Sequence, residues 1–305
     1  MIQTPSDNPP KSPVNRRDLL KGAAMGGLAM AATHATGLSA AEPEDRSLRV
    51  IAYNVYKCTG WPKDRARAKQ ATAAGQMPDR IAMELALYQP DIINFSESPD
   101  EAVVKRIAER LRMNYVRFPS GGNWPGTLLS RYEIEASKNV PLVSGERPKD
   151  LFTRHWGRAT IRLPDAGPLI VHSAHLYPGA DPAIRLREIP AMLESMRDDF
   201  EANRSMLLIG DLNHGPDTEE YKMWIDAGWV DTFSKVGKGD GLTIKADKPQ
   251  WRIDYVMAAG AIAQNIYQSK PLFEGAFRTN PADPESFALS DHLPQLAEFE
   301  YTVAK

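Results

Sequence analysis

The chain of 305 residues has a single cysteine, Cys58, and no marked excess of charge of either sign. One cysteine excludes an intramolecular disulfide framework. The 37 Lys and Arg residues nearly balance the 39 Asp and Glu residues, whereas tight nonspecific nucleic-acid binders usually neutralise many phosphates with Lys and Arg. The sequence also lacks internal repeats and any amphipathic basic helix or long apolar hairpin suited to membrane docking. The composition is therefore that of an ordinary globular protein and does not favour one that coats a polyanion or docks on a membrane.

The first part of the chain resembles a twin-arginine export signal. Arg16 and Arg17 precede residues 22–41, a run without Asp, Glu, Lys or Arg that is built mainly from Ala, Gly and Met. Small residues at the end of the run suit cleavage. The motif departs from the usual pattern because Asn15 replaces Ser or Thr and Leu19 replaces Phe.

Two other interpretations of residues 1–41 are a transmembrane anchor and a disordered cytosolic tail. The uncharged run is long enough to span a bilayer, but its Ala and Gly content is only weakly apolar. We therefore expect no stable membrane anchor, and we expect export to the periplasm or the extracellular space. The remaining residues, 46–303, are expected to form one globular domain.

Hydrophobic periodicity predicts a mixture of strands and helices in this domain. Helices are predicted over residues 78–89, 100–112 and 182–202. Strands are predicted over residues 48–56, 91–96, 127–130, 158–163, 169–176, 206–209, 253–257 and 296–303. Hairpins together with strand–helix alternation favour an α/β body over a purely parallel sheet.

Polar side chains stand at or beside the ends of these short apolar runs. The residues concerned are Asn54, Glu97, His175, Asp211, Asn213, Asp254, Asp291 and His292. Strands place polar groups at their ends on a rigid base, so several ends can converge on one pocket. Converging carboxylates, amides and imidazoles suit a hard divalent cation beside a phosphate.

In this order the motifs resemble the endonuclease/exonuclease/phosphatase superfamily, which includes DNase I-like nucleases, apurinic endonucleases, neutral sphingomyelinases and inositol-polyphosphate 5-phosphatases. Gly-Asp-x-Asn and Ser-Asp-His are each weak signals, but six motifs occur in family order over residues 54–292. They are Asn54, Glu97, His175, Gly210–Asn213, Asp254 and Ser290–His292. The resemblance implies a DNase I-like four-layer α/β sandwich, in which two packed mixed β-sheets are flanked by helices. It also implies an active site at one end of the sandwich.

The resemblance implies a Mg²⁺ or Mn²⁺ cofactor. Glu97 would be the principal metal ligand, Asn54 would offer a carbonyl oxygen to metal or phosphate, and Asp291 would be a further ligand. A buried carboxylate is costly unless a cation or hydrogen bonds compensate it. The alternatives are a salt-bridged acid at Glu97 and a turn-forming amide at Asn54. The number of metal ions, one or two, stays open.

The remaining motif residues match catalytic positions of the family. Asp211 would accept a proton from the attacking water, and Asn213 would donate a hydrogen bond to a phosphoryl oxygen. The two side chains can face the same substrate because residues two apart lie on one side of an extended chain. Asp254 would fix the tautomer of His292. Either Asp211 or His292 would be the general base. His175 would protonate, or donate a hydrogen bond to, the leaving oxygen.

Substrate contacts are less clearly marked in the sequence. Arg158 resembles a phosphate-contacting arginine of the nuclease branch, with a surface salt bridge as its alternative. Apurinic endonucleases carry Tyr near the position of His175, which argues against an abasic-site enzyme. His172, on the same run, is expected to point to the other sheet face. Candidates for the substrate rim, or for ordinary loop anchors, are Lys57, Trp61, Trp124 and Tyr177.

The expected function is divalent-metal-dependent hydrolysis of a phosphoester, with a phosphodiester favoured, by in-line attack of an activated water. The alternatives are a secreted DNA or RNA endonuclease and a lipid- or inositol-phosphate phosphodiesterase. A noncatalytic binding protein is disfavoured because Glu97, the Asp211–Asn213 segment and His292 are all present. A nucleic acid is among the candidate substrates, but the net charge does not indicate one. We expect a monomer.

Overall fold

The computed structural model describes residues 44–141, 147–164 and 166–303. The predicted export signal, residues 1–41, lies outside the described residues. The strands are β1 (Glu44–Asn54), β2 (Ile92–Ser96), β3 (Asn114–Phe118), β4 (Gly126–Ser130), β5 (Ile134–Asn139), β6 (Trp156–Leu163), β7 (Gly167–His175), β8 (Met206–Asp211), β9 (Val230–Asp231), β10 (Asp254–Ala259), β11 (Ile266–Pro271) and β12 (Gln295–Val303). The helices are α1 (Ala66–Ala73), α2 (Met77–Ala86), α3 (Glu101–Leu111), α4 (Arg185–Glu201), α5 (Glu219–Asp226) and α6 (Thr232–Val236).

The strands form two six-stranded sheets. The first has the order β11-β12-β1-β2-β4-β3, and the second has the order β5-β6-β7-β8-β10-β9. Each sheet contains one parallel pair, β1 with β2 and β7 with β8, among antiparallel neighbours. In both cases the parallel pair is connected through helices, as a parallel connection requires. The predicted mixed character of both sheets is confirmed.

Alternating side chains build three apolar layers. Val50 and Ala52 of β1 belong to a core shared with Val171 of β7 and Ile209 of β8, so these residues face the space between the sheets. The intervening Ile51 belongs to a second core with residues of α2 and α3. A third core joins the outer face of the second sheet to α4 and α5. Burial on both faces explains why the central strands are nearly continuous apolar runs, and it confirms the four-layer sandwich.

Strand register brings the polar ends together at one edge. Asn54 is paired with Ser96 at the end of the parallel β1–β2 pair. His175 is paired with Asp211 at the end of the parallel β7–β8 pair. The antiparallel β10 begins opposite this point, where Asp254 is paired with Asp211. Parallel strands end at the same edge, so both sheets present polar side chains at one end of the sandwich.

Within the described parts of the chain, no helix has the length and hydropathy needed to cross a lipid bilayer.

Candidate active site

Asn54 connects the two sheets at the polar end. It is the last residue of β1, and its side chain is buried on the inner face. Its Nδ2 donates a hydrogen bond to Asp211 Oδ2 of the opposite sheet at 3.0 Å. Its Oδ1 accepts from the backbone N–H of Tyr56 at 3.1 Å. A carbonyl oxygen has two lone pairs, so Oδ1 retains capacity for a second partner.

Glu97 follows β2 and has an uncompensated buried oxygen. Its backbone has a φ of +49°, an uncommon left-handed conformation for a residue with a Cβ. Its Oε2 is buried and has no hydrogen-bond partner. Burial raises the pKa of Glu97, while Asn54 and the charge of His292 oppose the increase. Because an unpartnered buried oxygen costs free energy, this carboxylate fits a cation ligand.

Asp211 is buried at the end of β8 and accepts two hydrogen bonds. Besides the bond from Asn54, its Oδ1 accepts from the backbone N–H of Asn213 at 3.1 Å. Burial, reinforced by the charge of Asp254, raises the pKa of Asp211 to about 7. The preceding Gly210 has a φ of +147°, and a Cβ there would collide with the Ala174 carbonyl oxygen of β7. Glycine therefore permits the close strand approach that sets Asp211 beside His175.

Asn213 lies beyond the end of β8 in a left-handed conformation, with a φ of +53°. Its Nδ2 donates to the carbonyl oxygen of Leu176 at 3.0 Å. The Asn amide has two N–H donors, so one remains for another acceptor. This bond also fixes Asn213 against the segment that follows His175.

His292 and Asp254 form a short charged pair. His292 Nδ1 donates to Asp254 Oδ2 at 2.8 Å, and its Nε2 lies 3.8 Å from Asp211 Oδ2. Burial alone would lower the pKa of His292, but the carboxylates of Asp254, Asp211 and Asp291 outweigh burial and raise it to about 10. His292 is therefore a cation at neutral pH.

The segment before His292 is attached to β1. Ser290 Oγ donates to the carbonyl oxygen of Asn54 at 2.6 Å and accepts from the backbone N–H of His292 at 3.2 Å. Asp291 Oδ1 lies 3.3 Å from the same hydroxyl. The hydroxyl therefore places the Asp291 carboxylate next to the end of β1, on the side of the site that also carries Glu97.

His175 lies beside Asp211 on the inner face of the second sheet. Its Nε2 is 3.6 Å from Asp211 Oδ2. Burial, together with the neighbouring His155 and Arg154, holds its pKa well below the ordinary value, so His175 is neutral. His172 lies on the opposite face, as expected, where its Nδ1 accepts from Trp156 Nε1 at 3.3 Å.

The structure does not bring Arg158 together with the other candidates. Arg158 is the cross-strand neighbour of His172, on the outer face of the second sheet, and it forms an ion pair with Asp199 of α4 at 3.2 Å. This geometry corrects the prediction of a phosphate contact in favour of the salt-bridge alternative. Arg154, which no sequence motif marks, interacts electrostatically with Glu97.

One ligand-type atom from each of Asp211, Asp254 and His292 lies within 4.8 Å of the others, a spacing that a metal ion can bridge. The charge state of His292 argues for a different use, because a protonated imidazole has no lone pair for a metal. Asp254 is already paired with that imidazole. We therefore interpret these three residues as a hydrogen-bonded, proton-handling network, and Glu97 as a separate candidate for cation binding.

Several solved structures have a similar fold. An endonuclease/exonuclease/phosphatase family protein from Bacteroides thetaiotaomicron superposes with a TM-score of 0.67 at 16% identity, covering 85% of this chain and 99% of that chain. A mannosyl-6-phosphatase from the same species gives 0.65 at 16% identity, with 84% and 99% covered. Truncated TDP2 from Caenorhabditis elegans gives 0.61 at 14% identity, with 83% of this chain and 97% of the truncated chain covered.

A comparison with curated proteins gives no significant sequence match. The sequence model of the Endonuclease/Exonuclease/phosphatase family matches residues 51–292, which include every strand-end residue described above. Members of this family are phosphoesterases. The match spans most of the chain, and the superposed structures have the same two-sheet architecture. The chain therefore belongs to the Endonuclease/Exonuclease/phosphatase family.

Proposed function

We propose that the protein hydrolyses a phosphodiester with the help of a divalent cation, Mg²⁺ or Mn²⁺, through in-line attack of water. One observation carries the proposal: Asp211, a carboxylate with a pKa near neutrality, lies between Asn54 and the protonated His292. A basic carboxylate beside a fixed cation suits a reaction that removes a proton from water and accumulates negative charge on a phosphoryl group.

Glu97, Asn54 and Asp291 would hold the cation. The unpartnered Oε2 of Glu97 supports this assignment, and carboxylate and amide oxygens are the donors that Mg²⁺ prefers. When bound, the cation polarises a phosphoryl oxygen and neutralises charge on the leaving oxygen.

Asp211 is the proposed general base. A base works best when its pKa lies near the working pH, and the pKa of Asp211 is raised to about 7. His292, with a pKa of about 10, is protonated at that pH and has no lone pair to accept a proton. The imidazolium instead stabilises charge on the phosphoryl group, and Asp254 holds it in orientation.

Asn213 and His175 complete the proposed set as neutral donors. The second amide N–H of Asn213 is available for a phosphoryl oxygen, because only one is used by Leu176. His175 is uncharged, so its ring N–H can donate to the leaving oxygen without adding charge to the site. Both side chains add hydrogen bonds where negative charge develops.

The proposed reaction depends on the bound cation. Hydrolysis of bis-p-nitrophenyl phosphate is expected to stop in EDTA and to return with Mg²⁺ or Mn²⁺. Glu97→Gln should weaken Mn²⁺ binding, measured by isothermal titration calorimetry, because it removes the charge of a cation ligand. Glu109→Gln, on the exposed side of α3, is the matched control and should bind Mn²⁺ as the wild type does. Full activity in EDTA would overturn the proposed metal dependence.

We further propose that residues 1–41 direct export and are then removed. The Arg16→Lys, Arg17→Lys double variant should leave the uncleaved precursor in the cytoplasm, because a twin-arginine pathway reads the arginine pair. Cell fractionation and immunoblotting measure the mature and precursor forms. Lys11→Arg, upstream of the pair, is the control and should be processed normally. Normal processing of the double variant would show that this is not the signal.

A further inference from the structure

Two cationic side chains from separate loops lie over one indole ring beside the candidate active site. Lys57 Nζ is 4.2 Å from the centroid of Trp124, and Arg154 Cζ is 5.0 Å from it. The negative face of the indole attracts both cations and restricts where they can point. Arg154 also interacts electrostatically with Glu97 and Asp211, which places this group of three side chains next to the proposed hydrolytic residues.

Neither cation forms a close ion pair with the part of the protein that the structure describes. No carboxylate there comes within the 4.0 Å ion-pair distance of Lys57 or Arg154. Arg154 Nε is buried without a hydrogen-bond partner, and Nη1 makes one long hydrogen bond, 3.5 Å, to Thr153 Oγ1. A guanidinium has five N–H donors, so most of the hydrogen-bonding capacity of Arg154 is unused.

The position of Lys57 depends on an unusual turn. Tyr56, Lys57 and Cys58 have φ values of +46°, +52° and +58°. Residues other than glycine visit this left-handed region as single residues because each one is strained. The backbone N–H of Lys57 donates to the carbonyl oxygen of Glu97 at 2.9 Å, which holds the turn against the metal-ligand candidate. Such strain concentrates at functional sites, where the surrounding structure maintains it.

The loops that carry the indole and the guanidinium are joined to each other. The backbone N–H of Gly122 donates to the carbonyl oxygen of Thr153 at 3.0 Å. The backbone N–H of Phe152 donates to the buried carboxylate of Glu188 on α4 at 2.7 Å. These bonds fix both loops before any ligand binds, so the two cations form a prebuilt surface.

We propose that Lys57, Trp124 and Arg154 form a subsite for a second phosphate group of the substrate, next to the phosphoester that is cleaved. The inference rests on the proposed function, because it takes the cleaved ester to lie at Glu97 and Asp211. Both cations lie over the indole, so the ring orients them. A guanidinium fork and an ammonium together offer the several charge-assisted donors that a phosphate accepts.

Direct binding tests the subsite. Alkane bisphosphonates with two, three or four carbons and the matching alkyl monophosphonates are titrated into the Mg²⁺-loaded protein by isothermal titration calorimetry. Their C–P bonds are not esters, so the ligands survive. At least one bisphosphonate should bind about tenfold more tightly than its monophosphonate. Lys57→Gln and Arg154→Gln should each reduce that preference, whereas Lys105→Gln, on the exposed face of α3, should preserve it.

Two calorimetric results would overturn the subsite. Equal affinity for mono- and bisphosphonates in the wild type overturns the subsite. An equal loss of affinity for both ligands in Lys57→Gln and Arg154→Gln also overturns it, because the cations would then bind the cleaved phosphate itself. Parallel assays with bis-p-nitrophenyl phosphate test the proposed hydrolysis separately from the subsite. If the protein hydrolyses the ester but shows no preference for bisphosphonates, only the subsite proposal is wrong. If it prefers bisphosphonates but hydrolyses no phosphoester, only the proposed function is wrong.

Discussion

Replacing His292 with alanine is expected to lower kcat/KM for bis-p-nitrophenyl phosphate by on the order of 10²-fold or more. The imidazole is the cation nearest to two buried carboxylates, 2.8 Å from Asp254 and 3.8 Å from Asp211. Those carboxylates raise its pKa to about 10 despite burial. The variant would lose a fixed positive charge at the place where the phosphoryl group gains negative charge.

Asp254 should matter mainly through His292. Asp254→Ala removes the carboxylate that accepts the hydrogen bond from His292 Nδ1 and orients the imidazole ring. This variant should therefore also lower kcat/KM. Members of one catalytic unit are not additive. The double variant His292→Ala, Asp254→Ala should therefore lose little beyond His292→Ala alone. Strictly multiplicative losses would show that the two residues act independently.

A matched control separates catalysis from folding. His172→Asn also replaces a buried histidine of the second sheet, but His172 lies on the outer face and accepts from Trp156. The Asn side chain can keep an acceptor for that indole N–H, so the rate should stay near the wild-type value. Circular dichroism should show intact folds for all variants. A wild-type rate in folded His292→Ala would contradict the proposed mechanism.

The convergence of polar side chains at the strand ends could be predicted because local pattern and register agree. Central strands such as β1 and β8 are apolar runs that end in a polar residue, and a rigid strand defines where that residue points. In the structure, His175, Asp211 and Asp254 are direct neighbours across three strands. A local signal at each strand end was therefore enough to identify groups that are distant in sequence.

Elements with little buried surface were not predicted. The edge strand β5 has four exposed residues among its six and lacks the apolar alternation of a half-buried strand. The short helix α1 buries only Ala68 and Ala71. Such segments take their structure from neighbours rather than from hydrophobic periodicity. The apolar run predicts that strand β8 ends before Gly210, but the strand continues to Asp211. Gly210 fits within the strand because the absence of a side chain lets β7 approach closely.

Arg158 and Arg154 differ in the same way: a local sequence pattern indicates the position of Arg158 but not that of Arg154. Arg158 occupies a strand in which Ala159 and Ile161 face the inter-sheet core, so alternation places Arg158 on the outer face. The alternation therefore favours the salt bridge of Arg158 over the phosphate contact that the family resemblance implies. Arg154 lies in a loop without any periodic pattern. Its position depends on bonds between loops remote in sequence, such as that from Gly122 to Thr153, and no local pattern encodes them.

Replacing Asp211 with asparagine is expected to lower kcat/KM by about 10² to 10⁴-fold, the range for loss of a general base. The pH dependence should identify the reason. Burial and the charge of Asp254 raise the pKa of Asp211 to about 7, so the ionised form that accepts a proton becomes scarce below that pH. Wild-type kcat/KM should therefore fall about tenfold for each pH unit below 7.

The shape of the pH profile distinguishes the two candidate bases. If His292 were the base, activity would rise with pH until the imidazolium lost its proton near pH 10. If Asp211 is the base, kcat/KM of the wild type rises with pH up to about 7 and is constant above it. The residual activity of Asp211→Asn should then lack this acidic limb, the rise of kcat/KM with pH below about 7. Asp199→Asn removes another buried carboxylate, one paired with Arg158 on the outer face, and should keep the limb. An acidic limb that persists unchanged in Asp211→Asn would assign the titration near pH 7 to another group and leave Asp211 without its proposed role.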